Sequence, residues 1–207
     1  GKSAGGIARL LRVAAEHPAA WPVRVAVVRD TWRNLERSLL PTLREGHGQG
    51  WWDVEIRESG TEAVLNGGQV HLFLFGMDNP KDASKFQSFE CGIAWLEEPA
   101  PAADLSSGIP IDVFAMALTS LSQRDMPSSI QASMNPPDAG HWILELIEHL
   151  QELGHPEMRV EMFQIPPGEN RHIKAGYREK MRIGLEQANR PDLIRRLVEG
   201  QIGVIIV

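Results

Sequence analysis

Cys91-Gly92-Ile93-Ala94-Trp95-Leu96-Glu97-Glu98 decides how the rest of this chain is read. CGIAWL (91–96) runs without a polar interruption and stops at two adjacent carboxylates. An apolar run of that length is a strand buried on both faces. A buried strand that ends in two acids is the Walker B arrangement. There the first acid holds Mg2+ through water, and the second polarises an attacking water. The same eight residues also fit a plain strand whose last side chains are solvated charges. The choice falls to what stands before and after them.

Working outward, short apolar runs alternate with helical periodicity. VRVAVV (23–28), VHLFLFGM (70–77), SIQAS (129–133) and RVEMFQI (159–165) read as strands. Residues 3–16, 31–45 (with a kink at Pro41), 111–122 (with Pro110 at the first turn), 141–153, 174–187 and 191–199 read as helices. GHGQGWW (46–52) and EPAPAADLSSGIP (98–110) are turn-rich breaks, and IGVIIV (202–207) is a last apolar run. Strands alternating with helices predict an α/β fold with a mainly parallel sheet flanked by helices. Ligands in such sheets bind beyond the carboxyl ends of the strands.

Two of those ends carry polar groups suited to phosphate chemistry. SIQAS ends at Ser133 and runs into Met134-Asn135-Pro136. Ser133 and Asn135 are hydrogen-bond donors placed to sense a terminal phosphate, or they belong to an ordinary Asn-Pro turn. The chain opens Gly1-Lys2-Ser3 before its first helix. That tripeptide closes the phosphate loop G-x-x-x-x-G-K-[ST], in which helix N-terminal N–H groups and the lysine grip phosphates and the hydroxyl meets Mg2+. Three residues are a short match. Their weight comes from order: phosphate tripeptide, helix, strand, helix, strand, strand ending Glu-Glu, helix, strand ending Ser-x-Asn-Pro.

The bulk numbers bound the alternatives. A length of 207 residues at 43% hydrophobic is enough for one large domain with a real core. A net charge of −6 excludes a global basic footprint for nucleic acid. The one cysteine, Cys91, excludes an internal disulfide and a cysteine metal cluster, and fits a reducing compartment. No apolar run approaches a membrane span, and the start does not read as a signal peptide.

Four stretches then resemble the ATPase domain of phage large terminase subunits, the motors that package viral DNA. They are VAVVRDTWRNLERSLLPTL (25–43), HLFLFGMDNPKDASKFQSFECGIAWLEEPA (71–100), SIQASMNPPDAGHWI (129–143) and ENRHIKAGYREKMRIGLEQANRPDLIRRLVEGQIG (169–203). The second and third are the most specific. The resemblance implies an ASCE-type P-loop NTPase fold over residues 1–207, with 171–200 as a helical closing segment. It implies ATP and Mg2+ as ligands. Gly1, Lys2 and Ser3 would take the nucleotide, Ser3 and Glu97 the metal, and Glu98 the catalytic glutamate role. Ser133 and Asn135 would couple hydrolysis to movement. Arg124, in SLSQRD (120–125), sits where the family often carries an arginine finger for a neighbour's ATP; an ordinary solvated arginine is the alternative. The implied partners are double-stranded DNA, a portal protein, a small terminase subunit and like subunits in a ring, with no membrane. The implied setting is the host cell cytoplasm, from a phage or prophage gene.

The sequence departs from the family in three ways. Glu97 stands where Asp is usual, and the longer arm must shift the metal's water shell or the backbone. The front of the P-loop and its strand do not precede Gly1, and no nuclease domain follows. By the family's measure the chain is therefore expected to be a fragment with a weak hold on ATP. A non-catalytic module for subunit contact or DNA binding, or another P-loop motor such as a helicase, are the competing functions. Cys91 and Trp95 are expected in the core, Trp51 and Trp52 at its edge, and His141 and His149 at the surface. Arg171, Lys174, Arg178, Lys180, Arg182, Arg190, Arg195 and Arg196 form a basic stretch that suits DNA phosphates, a neighbouring subunit or plain solvation.

Overall fold

The computed structural model describes residues 2–78, 80–86, 89–100, 108–165 and 174–202, apart from the side chains of 80, 83 and 85. Residues 1–99 with 108–133 form one compact unit, and the described parts of 100–107 with 134–207 form a second.

The first unit is a six-stranded sheet: β1 (Val23–Arg29), β2 (Val54–Arg57), β3 (Glu62–Leu65), β4 (Val70–Gly76), β5 (Ile93–Glu97) and β6 (Ser129–Ser133). Their spatial order is β2-β3-β4-β1-β5-β6. β4, β1, β5 and β6 are mutually parallel, and β2 and β3 are an antiparallel ribbon on the β4 side. The four parallel strands are those the apolar runs predict. The ribbon went unread because its strands have only four residues each and put Glu55, Arg57 and Glu62 among their apolar positions. A half-solvated short strand leaves a weak alternation signal.

Among the described residues three α-helices belong to this unit: α1 (Lys2–Glu16), α2 (Trp32–Gly48) and α3 (Ile111–Thr119). α2 passes through Pro41 and runs beyond the predicted break at Gly46, while α3 stops at Thr119 instead of 122. Ile7, Leu10 and Ala14 of α1 and Leu35, Leu39 and Leu43 of α2 bury completely against Val25, Val27, Leu72, Ile93 and Trp95 of the sheet. The other face carries Phe73 and Phe75, which meet Phe89 edge to face at ring-centroid distances of 5.0 and 5.2 Å. Phe86, from a 3-10 stretch over Pro80–Phe86, lies 5.1 Å from Phe75. Arg24 lies over Phe73 and Phe89 at 5.2 and 5.1 Å, so its charge is held by aromatic faces.

Two glycines set how closely the helices approach the strands. Gly76 ends β4 where the backbone of Trp32, the first residue of α2, presses against it. Asp78 then accepts the Trp32 N–H at 3.1 Å, and Thr31 caps the helix by accepting from Asn34. This is the physical content of the Gly-x-Asp segment at 76–78. Gly6 of α1 faces the indole of Trp95, where an added Cβ would sit 2.5 Å from Cζ2. Trp95 therefore packs a helix as expected. Cys91 is also buried, and burial pushes its thiol up to about 11, so it is no nucleophile at neutral pH.

The second unit contains α4 (Trp142–Leu153), α5 (Tyr177–Gln187) and α6 (Pro191–Leu193), which continues as a π-helical turn over Ile194–Val198. His141 caps α4 by accepting from Ile143 N–H, and Gly154 closes it in the left-handed conformation. The strand predicted over 159–165 is not one. Met162, Phe163 and Ile165 are exposed on both sides of the alternation, so no face is buried to reward an extended pairing. The last predicted run falls mostly on 203–207, outside the described residues.

Gly6 and its neighbour Gly5 offer a matched test. Gly6→Ala must overpack Trp95, whereas Gly5 has nothing within 4 Å. Urea unfolding is expected to show Gly6→Ala losing about 1–3 kcal/mol and Gly5→Ala gaining about 0.5–1 kcal/mol from helix propensity.

Candidate nucleotide site at the carboxyl ends of the strands

β1 and β5 are adjacent and in parallel register, with Val28 opposite Leu96. The residues that follow, Arg29 on β1 and Glu97-Glu98 on β5, therefore emerge side by side. α1 brings its first turn to the same place. Four predicted residues meet there: Ser3 Oγ donates to Glu97 Oε1 at 2.6 Å, and Lys2 Nζ donates to Glu98 Oε1 at 3.0 Å.

Glu97 is 1% exposed, so its carboxylate exists at the cost of lost hydration and must be matched. Three donors match it. Besides Ser3, Glu97 Oε2 accepts from Ser38 Oγ at 3.0 Å and from Arg29 Nη1 at 3.1 Å. The Arg29 fork spans both acids, because its Nη2 donates to Glu98 Oε2 at 2.9 Å. Arg29 Nη1 also donates to Ser38 Oγ at 2.6 Å, and Nε lies 3.7 Å from Asp30 Oδ1. Two cations thus face three carboxylates in one cluster, a field that favours a further cation.

The backbone here is unusual. Glu98 has φ of +50°, in the left-handed region that a residue with a Cβ rarely occupies. Its N–H donates to the Ser133 carbonyl at 2.7 Å. The Ser133 Oγ accepts from Trp95 Nε1 at 2.9 Å. The end of β6 is therefore tied to both the strand and the turn that carry the acids.

Not all predicted residues come together. Arg124 is exposed in the turn that precedes β6. Ser129 opens β6 opposite Ile93, and Ser133 ends it opposite Glu97, so four residue steps, roughly 13 Å of strand, lie between Arg124's end and its own Glu97. Asn135 lies in the bend after β6, within the second unit. Gly1 lies outside the described residues, as does Arg171 of the basic stretch. Within that stretch Arg182 pairs with Glu199, Arg190 with Asp192, and Arg196 is buried with Nε on the Pro136 carbonyl. Arg190 also holds the Asp192 carboxyl below its usual range by hydrogen bonding. Lys174, Lys180 and Arg195 remain exposed, which is a thinner positive surface than the sequence suggests.

Arg29 and Ser38 were not among the predicted residues. The strand-end criterion that picks out Glu97-Glu98 also finds Arg29-Asp30 when applied to VRVAVVR. Ser38 leaves no such signal, being one serine within an amphipathic helix.

The donor set suits Mg2+. Ser3 gives its proton to Glu97 and keeps its lone pairs, so a hydroxyl and a carboxylate offer hard oxygens side by side. Mg2+ takes one or two protein oxygens and completes its shell with phosphate and water. Among the described residues no group of three or more His, Cys, Asp or Glu side chains could hold a metal ion without such help.

No protein-family model and no curated protein matches the sequence. Solved structures do. The large terminase of a thermophilic bacteriophage matches with a TM-score of 0.66 at 15% identity, over 88% of this chain and 41% of that one. The same terminase in complex with ADP matches at 0.57 and 15% identity, over 77% and 36%. Its complex with ATP-gamma-S matches at 0.54 and 16% identity, over 77% and 35%. The chain thus spans about two-fifths of that terminase's length. It shares the fold of that part of the large terminase, a mainly parallel sheet flanked by helices.

The electrostatics of the site can be tested without ligand. Arg29→Met leaves Glu97 buried beside fewer donors and is expected to cost about 3 kcal/mol in urea unfolding. Adding Glu97→Gln should return part of that loss, because the uncompensated charge is gone. A double variant that loses the sum of both single effects would show that Arg29 and Glu97 are not coupled.

Proposed function

We propose that this chain is the ATPase motor domain of a viral large terminase, coupling ATP hydrolysis to translocation of double-stranded DNA into a procapsid. The observation that carries the reading is the convergence of Lys2, Ser3, Glu97 and Glu98 at one sheet end. The likeness to a terminase solved with ADP and with ATP-gamma-S supports it.

In this reading Lys2 binds the terminal phosphates, and Ser3 and Glu97 would hold Mg2+, which when bound would offset charge developing on the phosphate oxygens. When Lys2 turns to phosphate, Glu98 Oε1 is released to orient a water and accept its proton. The water oxygen bonds to the γ-phosphorus as the bond to the departing ADP oxygen breaks. Ser133, whose carbonyl accepts from the Glu98 N–H, and Asn135 couple hydrolysis to movement on DNA. Arg124 serves a neighbour's site in a ring of like subunits. A portal protein, a small terminase subunit and DNA complete the assembly, in the cytoplasm of the host. Among the described residues no helix is long and apolar enough to cross a membrane.

Glu98→Gln keeps the shape and loses the base. In the protein as its gene encodes it, hydrolysis is expected to fall at least about 100-fold, while a fluorescent ADP analogue still binds. Hydrolysis at the unsubstituted rate would remove Glu98 from the mechanism. No hydrolysis by the unsubstituted protein, folded and with DNA present, would favour a non-catalytic module.

Arg124 has its own test. Arg124→Ala and Glu98→Gln proteins, each inactive alone, should recover activity when mixed, since one ring then contains intact composite sites. Mixtures that stay inactive would argue against action on a neighbour.

A further inference from the structure

Ser38 is a polar group of the cluster that takes no part in the chemistry above. It lies on α2 and reaches across to the end of β5. Its hydroxyl has one proton and two acceptors in range, the Asn34 carbonyl at 2.9 Å and Glu97 Oε2 at 3.0 Å. It also accepts from Arg29 Nη1 at 2.6 Å. One proton serves one acceptor. The carboxylate is the stronger one, being charged and buried, and the Asn34 carbonyl already lies within a helix that offers it a backbone donor. The proton therefore goes to Glu97. This fixes the carboxylate plane from one side while Ser3 holds it from the other at 2.6 Å.

We propose that Ser38 is a positioning residue for the cation site: it orients Glu97 so that Oε1 stays at the Ser3 hydroxyl, where a divalent cation bound with nucleotide would sit. The inference rests on the nucleotide reading of this site. Without the Ser38 hydroxyl, Glu97 Oε2 keeps only Arg29 Nη1, at 3.1 Å, so the carboxylate is held less firmly about its last bond, and Arg29 Nη1 loses one of its two acceptors. The pair Ser3–Glu97 is then no longer set in advance. Partners that orient a metal-binding side chain matter to the metal rather than to the ligand as a whole. The signature is a change confined to cation dependence.

The experiment titrates Mg2+ into the protein as its gene encodes it, with a fluorescent ADP analogue as the probe and a parallel series in EDTA. Ser38→Ala is expected to raise the Mg2+ concentration for half-maximal effect about tenfold, with EDTA affinity unchanged. Ser38→Thr, which keeps the hydroxyl, should restore the unsubstituted midpoint. Ser38→Cys, a weak donor of nearly the same size, should fall between and serves if the alanine variant does not fold. A lower melting temperature with an unmoved Mg2+ midpoint would overturn the proposal, leaving Ser38 a stability contact. Failure of the unsubstituted protein to bind the probe would instead overturn the nucleotide reading, and this inference with it.

Discussion

A single buried carboxylate organises this molecule. Glu97 sits at the end of the central parallel strands with almost no access to water. A charge there is tolerable only if hydrogen-bond donors replace the lost hydration. The donors come from three elements: Ser3 from α1, Arg29 from β1 and Ser38 from α2. Each of those elements is held by its own apolar face, so the core and the charge cluster constrain one another. α1 can deliver Ser3 only because Gly6 lets the helix lie on Trp95, and α2 can deliver Ser38 only because Gly76 lets its first turn meet β4. The packing that looks structural is what sets the chemistry of the strand ends.

The second acid is placed by backbone more than by packing. Glu98 is held with positive φ, a conformation of order 1–3 kcal/mol above an ordinary one for a side-chain-bearing residue. It persists because its N–H is anchored on Ser133, while its two oxygens are taken by Lys2 and Arg29. Such a residue has partners on every side and a backbone that would relax if one were withdrawn. That is a physical basis for tying the state of the carboxylate to the end of β6. Both groups lie in the same unit, so the link needs no contact with the second one.

How much of this was legible in the sequence follows from the kind of signal each part leaves. Long apolar runs announce β1, β4 and β5, since a strand buried on both faces has no polar alternation to confuse it. The β2–β3 ribbon is short and half solvated, and it left almost none. RVEMFQI has the apolar content of a strand without its burial, because pairing depends on what lies beside a segment and not on the segment alone. Glu97 and Glu98 were readable because two charges after an apolar run are conspicuous. Arg29 was readable by the same rule, yet a lone arginine at a strand end is easily taken for solvation. Ser38 was invisible, since its partner is 59 residues away and only the register of β1 with β5 brings α2 over the acids. The basic stretch near the end of the chain was overread for the converse reason: intrachain partners for Arg182, Arg190 and Arg196 do not show in composition.

The glutamate at position 97, where a terminase-like sequence would be expected to carry aspartate, is the departure that the geometry makes intelligible. One carboxylate must meet Ser3 at 2.6 Å through one oxygen, and Ser38 and Arg29 at 3.0 and 3.1 Å through the other. The donors stand on different elements, α1 on one side and β1 with α2 on the other, so they cannot follow a shorter arm together. Removing a methylene draws the carboxylate back by one carbon–carbon bond, about 1.5 Å, which exceeds the tolerance of a hydrogen bond. Aspartate could keep one side or the other, or the strand would have to advance between its neighbours, against the register with β1 and β6. The longer side chain therefore does not loosen the site. It lets a strand end that is set back from its donors reach both of them, and it makes the orientation of Glu97 depend on Ser38 and Arg29 as much as on Ser3.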